Sequence, residues 1–135
     1  MTIPRLLLLF LVCALFASCN KDGQNDRDQF LGRYEVEEYS HRSLGHREDY
    51  EVRIDRDPQR ENQVIIYNFY NLGLEVSAEV EGRTLVVPVQ VHNFFEVEGE
   101  GSLSGSEITL HYTIRSVLES SDFCDDLAAR MKLIE

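Results

Sequence analysis

The residues able to do chemistry are few and scattered. Four histidines, His41, His46, His92 and His111, have neither H-x-x-x-H spacing nor a C-x-x-C partner, the patterns that present several ligands to one zinc ion. His41 and His46 fall in a loop and His111 on the polar face of a strand, so all read as surface histidines. Glu96, Glu98 and Glu100 share one strand face, and Glu75 and Glu79 another. Paired carboxylates can run acid–base chemistry and stacked ones can bind Ca²⁺, but alternating glutamates are the usual solvated side of a strand. Asp122, Asp125 and Asp126 lack the D-x-D-x-D-G order of a calcium loop and read as solvated too. No serine stands in a G-x-S-x-G elbow, no glycine-rich loop precedes a helix, and no H-E-x-x-H occurs. The expectation is a chain with no catalytic residue, no metal and no cofactor. It does not read as an enzyme.

The cysteines tell more. Arg5 is followed by an apolar run from Leu6 to Phe16. That is shorter than the ~20 residues a membrane-spanning helix needs, and it fits the apolar core of a secretory signal. The run ends in Ala17-Ser18-Cys19, which resembles a bacterial lipobox, with Phe16 where leucine is usual. The resemblance implies removal of residues 1–18 and acylation of Cys19. The competing A-x-A cleavage site is poorly matched by Leu15-Phe16-Ala17 or Phe16-Ala17-Ser18. Three acyl chains hold a protein stably, since each buried CH₂ contributes ~0.8 kcal/mol. Cys13 leaves with the signal and Cys19 carries lipid, so Cys124 is left without a disulfide partner. Asp122, Asp125 and Asp126 oppose a thiolate there, and Cys124 reads as a small buried apolar residue. Residues 20–29 are polar throughout and read as a solvated tether.

Residues 30–135 must supply the fold. Tyr50, Val52 and Ile54 alternate with charges, as do Leu74, Val76, Ala78 and Val80, then Phe95 and Val97, then Ile108, Leu110, Tyr112 and Ile114. Period two is the signature of strands with one buried and one wet face. Runs at Tyr34–Val36, Val64–Tyr67 and Leu85–Val89 complete seven strands, about ten residues apart, with no helical pattern between them. That spacing predicts an antiparallel meander. Residues 127–133 suit either an eighth strand or a short helix, and their apolar parity favours strand. Gly99 and Gly101 in one strand imply curvature, and Pro88 implies an edge or an unpaired position. The fold class is all-β, seven to eight strands closed or nearly closed into a small barrel.

Leu31-Gly32-Arg33-Tyr34, Ile66-Tyr67-Asn68-Phe69-Tyr70-Asn71-Leu72-Gly73, Val87-Pro88-Val89-Gln90 and Gly99-Glu100-Gly101 resemble stretches of small Bacteroidetes lipoproteins. The resemblance implies a lipocalin-like, or calycin-like, β-barrel behind the lipobox. Tyrosine at Gly32-Arg33-Tyr34 replaces the early tryptophan of true lipocalins, and no binding residue carries over.

With 13 Lys+Arg against 24 Asp+Glu, the net charge of −11 argues against nucleic acid and against docking on anionic lipid by charge. Adjacent aromatics point to opposite strand faces, which leaves one member of Phe69-Tyr70 and one of Phe94-Phe95 available to the surface, although the favoured reading is that these rings close the barrel end. With Tyr67 they form the candidate ligand or partner surface. The expected function is a membrane-anchored, non-catalytic interaction barrel of the cell envelope, most consistent with the outer membrane, with a protein partner. The periplasmic or surface face stays open. The alternative is a carrier of a small apolar ligand, which needs a hollow barrel of ~300 Å³ or more.

Overall fold

A computed structural model describes residues 25–135. Nine strands follow a short 3₁₀ turn, Asp26–Phe30: β1 Gly32–Ser40, β2 Gly45–His46, β3 Tyr50–Arg56, β4 Gln63–Phe69, β5 Leu74–Glu81, β6 Thr84–His92, β7 Phe95–Ser104, β8 Glu107–Ser116 and β9 Cys124–Leu133. All pairings are antiparallel; β1 and β3 to β9 follow one another in chain order, and β9 returns to β1 from Tyr34↔Leu133 to Ser40↔Leu127. Eight strands therefore close a barrel, with the two-residue β2 lying outside it on the end of β1. Closure removes every long edge from an otherwise open meander. Residues 127–133 are strand, as their parity favours.

The alternation places the core. Val52, Ile54, Val76, Val80, Leu110 and Ile114 all point inward and are buried, in one continuous apolar cluster running from Phe30 to Met131. Burial of each such side chain contributes roughly 1.5–3 kcal/mol.

Two local devices shape the wall. Gly99 on β7 faces Tyr112 on β8 so closely that an added Cβ would lie 2.6 Å from the Tyr112 Cβ. The missing side chain lets β7 and β8 bend sharply together. On β6 the register shifts between Val87 and Gln90, around Pro88, and the ladder between β5 and β6 ends at Glu79↔Val86. Beyond that point the Gln90 carboxamide replaces the ladder: it accepts from the Ser77 N–H (2.9 Å) and donates to the Ser77 carbonyl (2.8 Å). A side chain thus satisfies backbone groups that the splayed strands leave behind.

The stretch expected as a tether is corrected at its end. Asn25 caps the 3₁₀ turn, and Phe30 is fully buried. Arg27 donates to the carbonyls of Asp57, Arg60 and Gln63. Residues 25–29 are therefore tied to one end of the barrel, because Phe30 must reach the core and Arg27 satisfies three carbonyls of the β3–β4 turn. This lower end also carries the β5–β6 and β7–β8 turns, while the upper end carries the β1–β3, β4–β5, β6–β7 and β8–β9 connections.

Candidate functional site

The aromatic residues expected to form a surface divide. Tyr67 lies half-buried on the outer wall with the Arg53 guanidinium 4.6 Å from its ring centroid. Phe69 and Tyr70 are both buried at the upper end of the barrel, so neither member of that pair lies at the surface. Alternation fails there because the backbone leaves the extended region: φ is +66° at Asn68, +58° at Tyr70 and +57° at Asn71. Phe94 is 65% exposed, and Phe95 is half-buried edge-on to Phe123. Cys19 lies outside the described residues. Cys124 is exposed, not buried, because it begins β9 with outward parity.

Beneath the upper loops sits a polar cluster. Glu38 on β1 is buried and accepts hydrogen bonds from the Tyr112 hydroxyl (2.7 Å) and the Tyr50 hydroxyl (3.0 Å) and an ion pair from Arg47. Arg47 in turn donates to the Tyr70 carbonyl (3.3 Å), and its guanidinium stacks 3.7 Å from the Tyr70 ring centroid. Beside it, buried Asp125 accepts from the Ser40 hydroxyl (2.6 Å), the Tyr70 hydroxyl (3.2 Å) and the Arg42 N–H (3.0 Å). Asp125 is thus corrected from the solvated class.

Both acids were detectable by parity. Glu38 and Ser40 continue the inward row of Tyr34 and Val36, and Asp125 precedes the inward row of Leu127, Ala129 and Met131.

Burial shapes the protonation of this cluster. It raises the pKa of Tyr50, and the Glu38 charge raises it further. Tyr112 is raised well above the usual phenol range by burial, then by Tyr50 and Glu38. Tyr70 is raised, first by burial. Burial is the largest single influence on Arg47 and works against its charge, but Glu38 together with Tyr70, Tyr112 and Tyr50 outweighs it and the net shift is upward. At the other end, burial pushes Tyr34 up to about 12, and its hydroxyl donates to the Phe30 carbonyl at 2.9 Å. Every phenol here therefore stays protonated and donating, and the Glu38 carboxylate is engaged by three partners. The arrangement locks three loops to the barrel mouth rather than presenting a free acid or base.

A pH dependence follows. The folded state holds its tyrosyl protons to higher pH than the unfolded chain does, so stability is complete below pH 10 and declines as pH rises through about 12. Tyr34 alone is expected to cost about 1 kcal/mol at pH 11. Urea unfolding at pH 9 and pH 11 checks this, and unchanged midpoints would contradict it.

On the outer wall a shallow groove of about 570 Å³ crosses β6 to β9, lined in part by Val86, Pro88, Glu98, Glu100, His111 and Asp126. Glu35, Glu37 and Asp49 bring three carboxylate oxygens within 4.8 Å of one another at the surface, and Glu37 also pairs with Lys132 at 3.6 Å. His41 and His111 are exposed, and Glu98 and Glu100 are solvated as their parity predicts. No protein-family model, curated protein or solved structure matches the chain.

Proposed function

We propose that the chain is a lipid-anchored, non-catalytic interaction barrel of the bacterial envelope, which works by presenting its outer surface to a protein partner. The observation that carries this reading is a barrel axis filled by its own side chains. Phe69, Leu85, Leu110, Ile114 and Met131 are all essentially inaccessible, and Glu38 and Asp125 spend their hydrogen bonds on neighbouring residues. Barrels of about eight strands are just wide enough to be filled in this way. A carrier of a small apolar ligand needs that same volume empty.

Anchoring rests on Cys19 and the apolar run before it. Labelled palmitate should enter the full-length protein in a bacterial host and partition it into the detergent phase. Cys19→Ala should abolish both. Continued labelling of that variant would defeat the anchor. A small-molecule mass retained by the detergent-purified protein under native mass spectrometry would favour the carrier instead.

A further inference from the structure

The two ends of the barrel differ. The turns of the lower end carry Asp57-Pro58-Gln59-Arg60-Glu61-Asn62, Gly82-Arg83 and Gly105-Ser106, with no large apolar side chain; the exposed apolar residues at that end are Leu133 and Ile134, at the end of β9. Each connection at the upper end carries an exposed one: Leu44 between β1 and β2, Leu72 between β4 and β5, Phe94 between β6 and β7, and Val117 and Leu118 between β8 and β9. The β6–β7 and β8–β9 connections touch, since the Val117 N–H donates to the Phe94 carbonyl at 2.9 Å.

Two of these residues hold unfavourable backbone. Asn93 (φ +47°) and Phe94 (φ +71°) form a two-residue hairpin turn with both φ values positive. Such turns strongly favour Asn-Gly, because a side chain at the second position meets the backbone. Here a phenylalanine stands in the glycine's place and is 65% exposed. Leu44, 78% exposed, likewise sits at φ +53°. A bulky residue kept at positive φ with its side chain in water gains nothing for the fold from either feature, which makes it a candidate for function.

The geometry points to this upper loop end, centred on Phe94, as a docking surface for a protein with an apolar patch rimmed by basic residues. The inference rests on the anchored-barrel reading. Residue 25 enters at the lower end, and the six residues from Cys19 to Gln24 reach at most about 20 Å. Ten-residue strands tilted in a barrel stand about 25 Å high, so the upper end cannot turn to face the bilayer that holds Cys19. The exposed charges around the patch include Glu48, Glu119 and Asp122, against Arg42, which calls for a basic rim on the partner. A second copy would meet this acidic rim with its own.

The test places a photo-crosslinking amino acid at position 118 of the full-length protein in its source cells, with position 106 at the lower end as reference. One discrete protein adduct is expected at 118 and none at 106. Phe94→Gly and Leu44→Gly should each reduce the 118 adduct by about fivefold or more if these anchors dominate the contact. The same two variants should raise the melting temperature by a few degrees, because glycine relieves the backbone. An adduct with lipid, an adduct with a second copy, no adduct, or an adduct indifferent to Phe94→Gly would each overturn the inference. Acylation at Cys19 is scored on the same cells, so loss of the anchor is distinguished from loss of the docking surface.

Discussion

Gly99→Val should lower the unfolding free energy by about 3 kcal/mol or more, enough to leave much of the protein unfolded at moderate temperature. A Cβ at residue 99 would lie 2.6 Å from the Tyr112 Cβ, 2.9 Å from its Cα and 2.5 Å from the His111 carbonyl oxygen. Those are backbone atoms and a branch point of the facing strand, which cannot swing aside as the tip of a flexible side chain can. β7 would have to part from β8, and Tyr112 would move with it, loosening the hydroxyl that holds Glu38. Gly45→Ala is the reference substitution, since the nearest atom to its added Cβ is 4.0 Å away. It should change stability by no more than about 0.5 kcal/mol. Urea unfolding of both variants checks the pair, and equal effects would show that the β7–β8 approach is not what requires glycine.

Arg47→Met should cost about 3 kcal/mol. Removing one member of a buried ion pair leaves the other charge uncompensated. The Glu38 side chain is fully buried while that of Arg47 is 23% exposed, so solvent screening keeps the cost towards the low end of the range for such pairs. The same substitution also removes the stacking on Tyr70 and the hydrogen bond to its carbonyl, freeing the β4–β5 turn. Adding Glu38→Gln should restore part of the loss, because the amide oxygen still accepts from Tyr50 and Tyr112 without a charge to bury. A double variant no more stable than Arg47→Met alone would show that the guanidinium acts by packing and not by charge. Denaturation curves with unchanged slopes make the comparison valid.

Much of the fold was legible from alternation. The seven runs from Tyr34 to Ile114 are strands, and the favoured eighth at 127–133 is one as well. Pro88 marks the irregular place on β6, and the paired glycines mark the tightest approach of β7 to β8. The candidate site was less legible. Phe69 and Tyr70 follow Asn68 at positive φ, a break that a period-two pattern does not contain. Asp125 was grouped with its acidic neighbours by composition although its parity puts it inside. Gln90 replaces a missing ladder because the β5–β6 pairing ends at Glu79↔Val86, and residues 25–29 are held because Phe30 reaches the core and Arg27 and its neighbours find partners some thirty or more positions away.

What the amino-acid order determined by itself was local: which residues extend, which side of each strand is apolar, and where the turns fall. Covalent geometry sends successive side chains to opposite faces whatever their surroundings. The tertiary structure decided the rest. Glu38 meets Tyr112 across 74 positions, and Ser40 meets Asp125 across 85. These contacts exist because β9 closes on β1 and brings the first and last strands together. Closure also assigns the ends, gathering four distant loops with their exposed apolar tips on one side and the chain's entry on the other. Such groupings depend on pairing energy summed over whole strands, and no local pattern encodes which loops become neighbours.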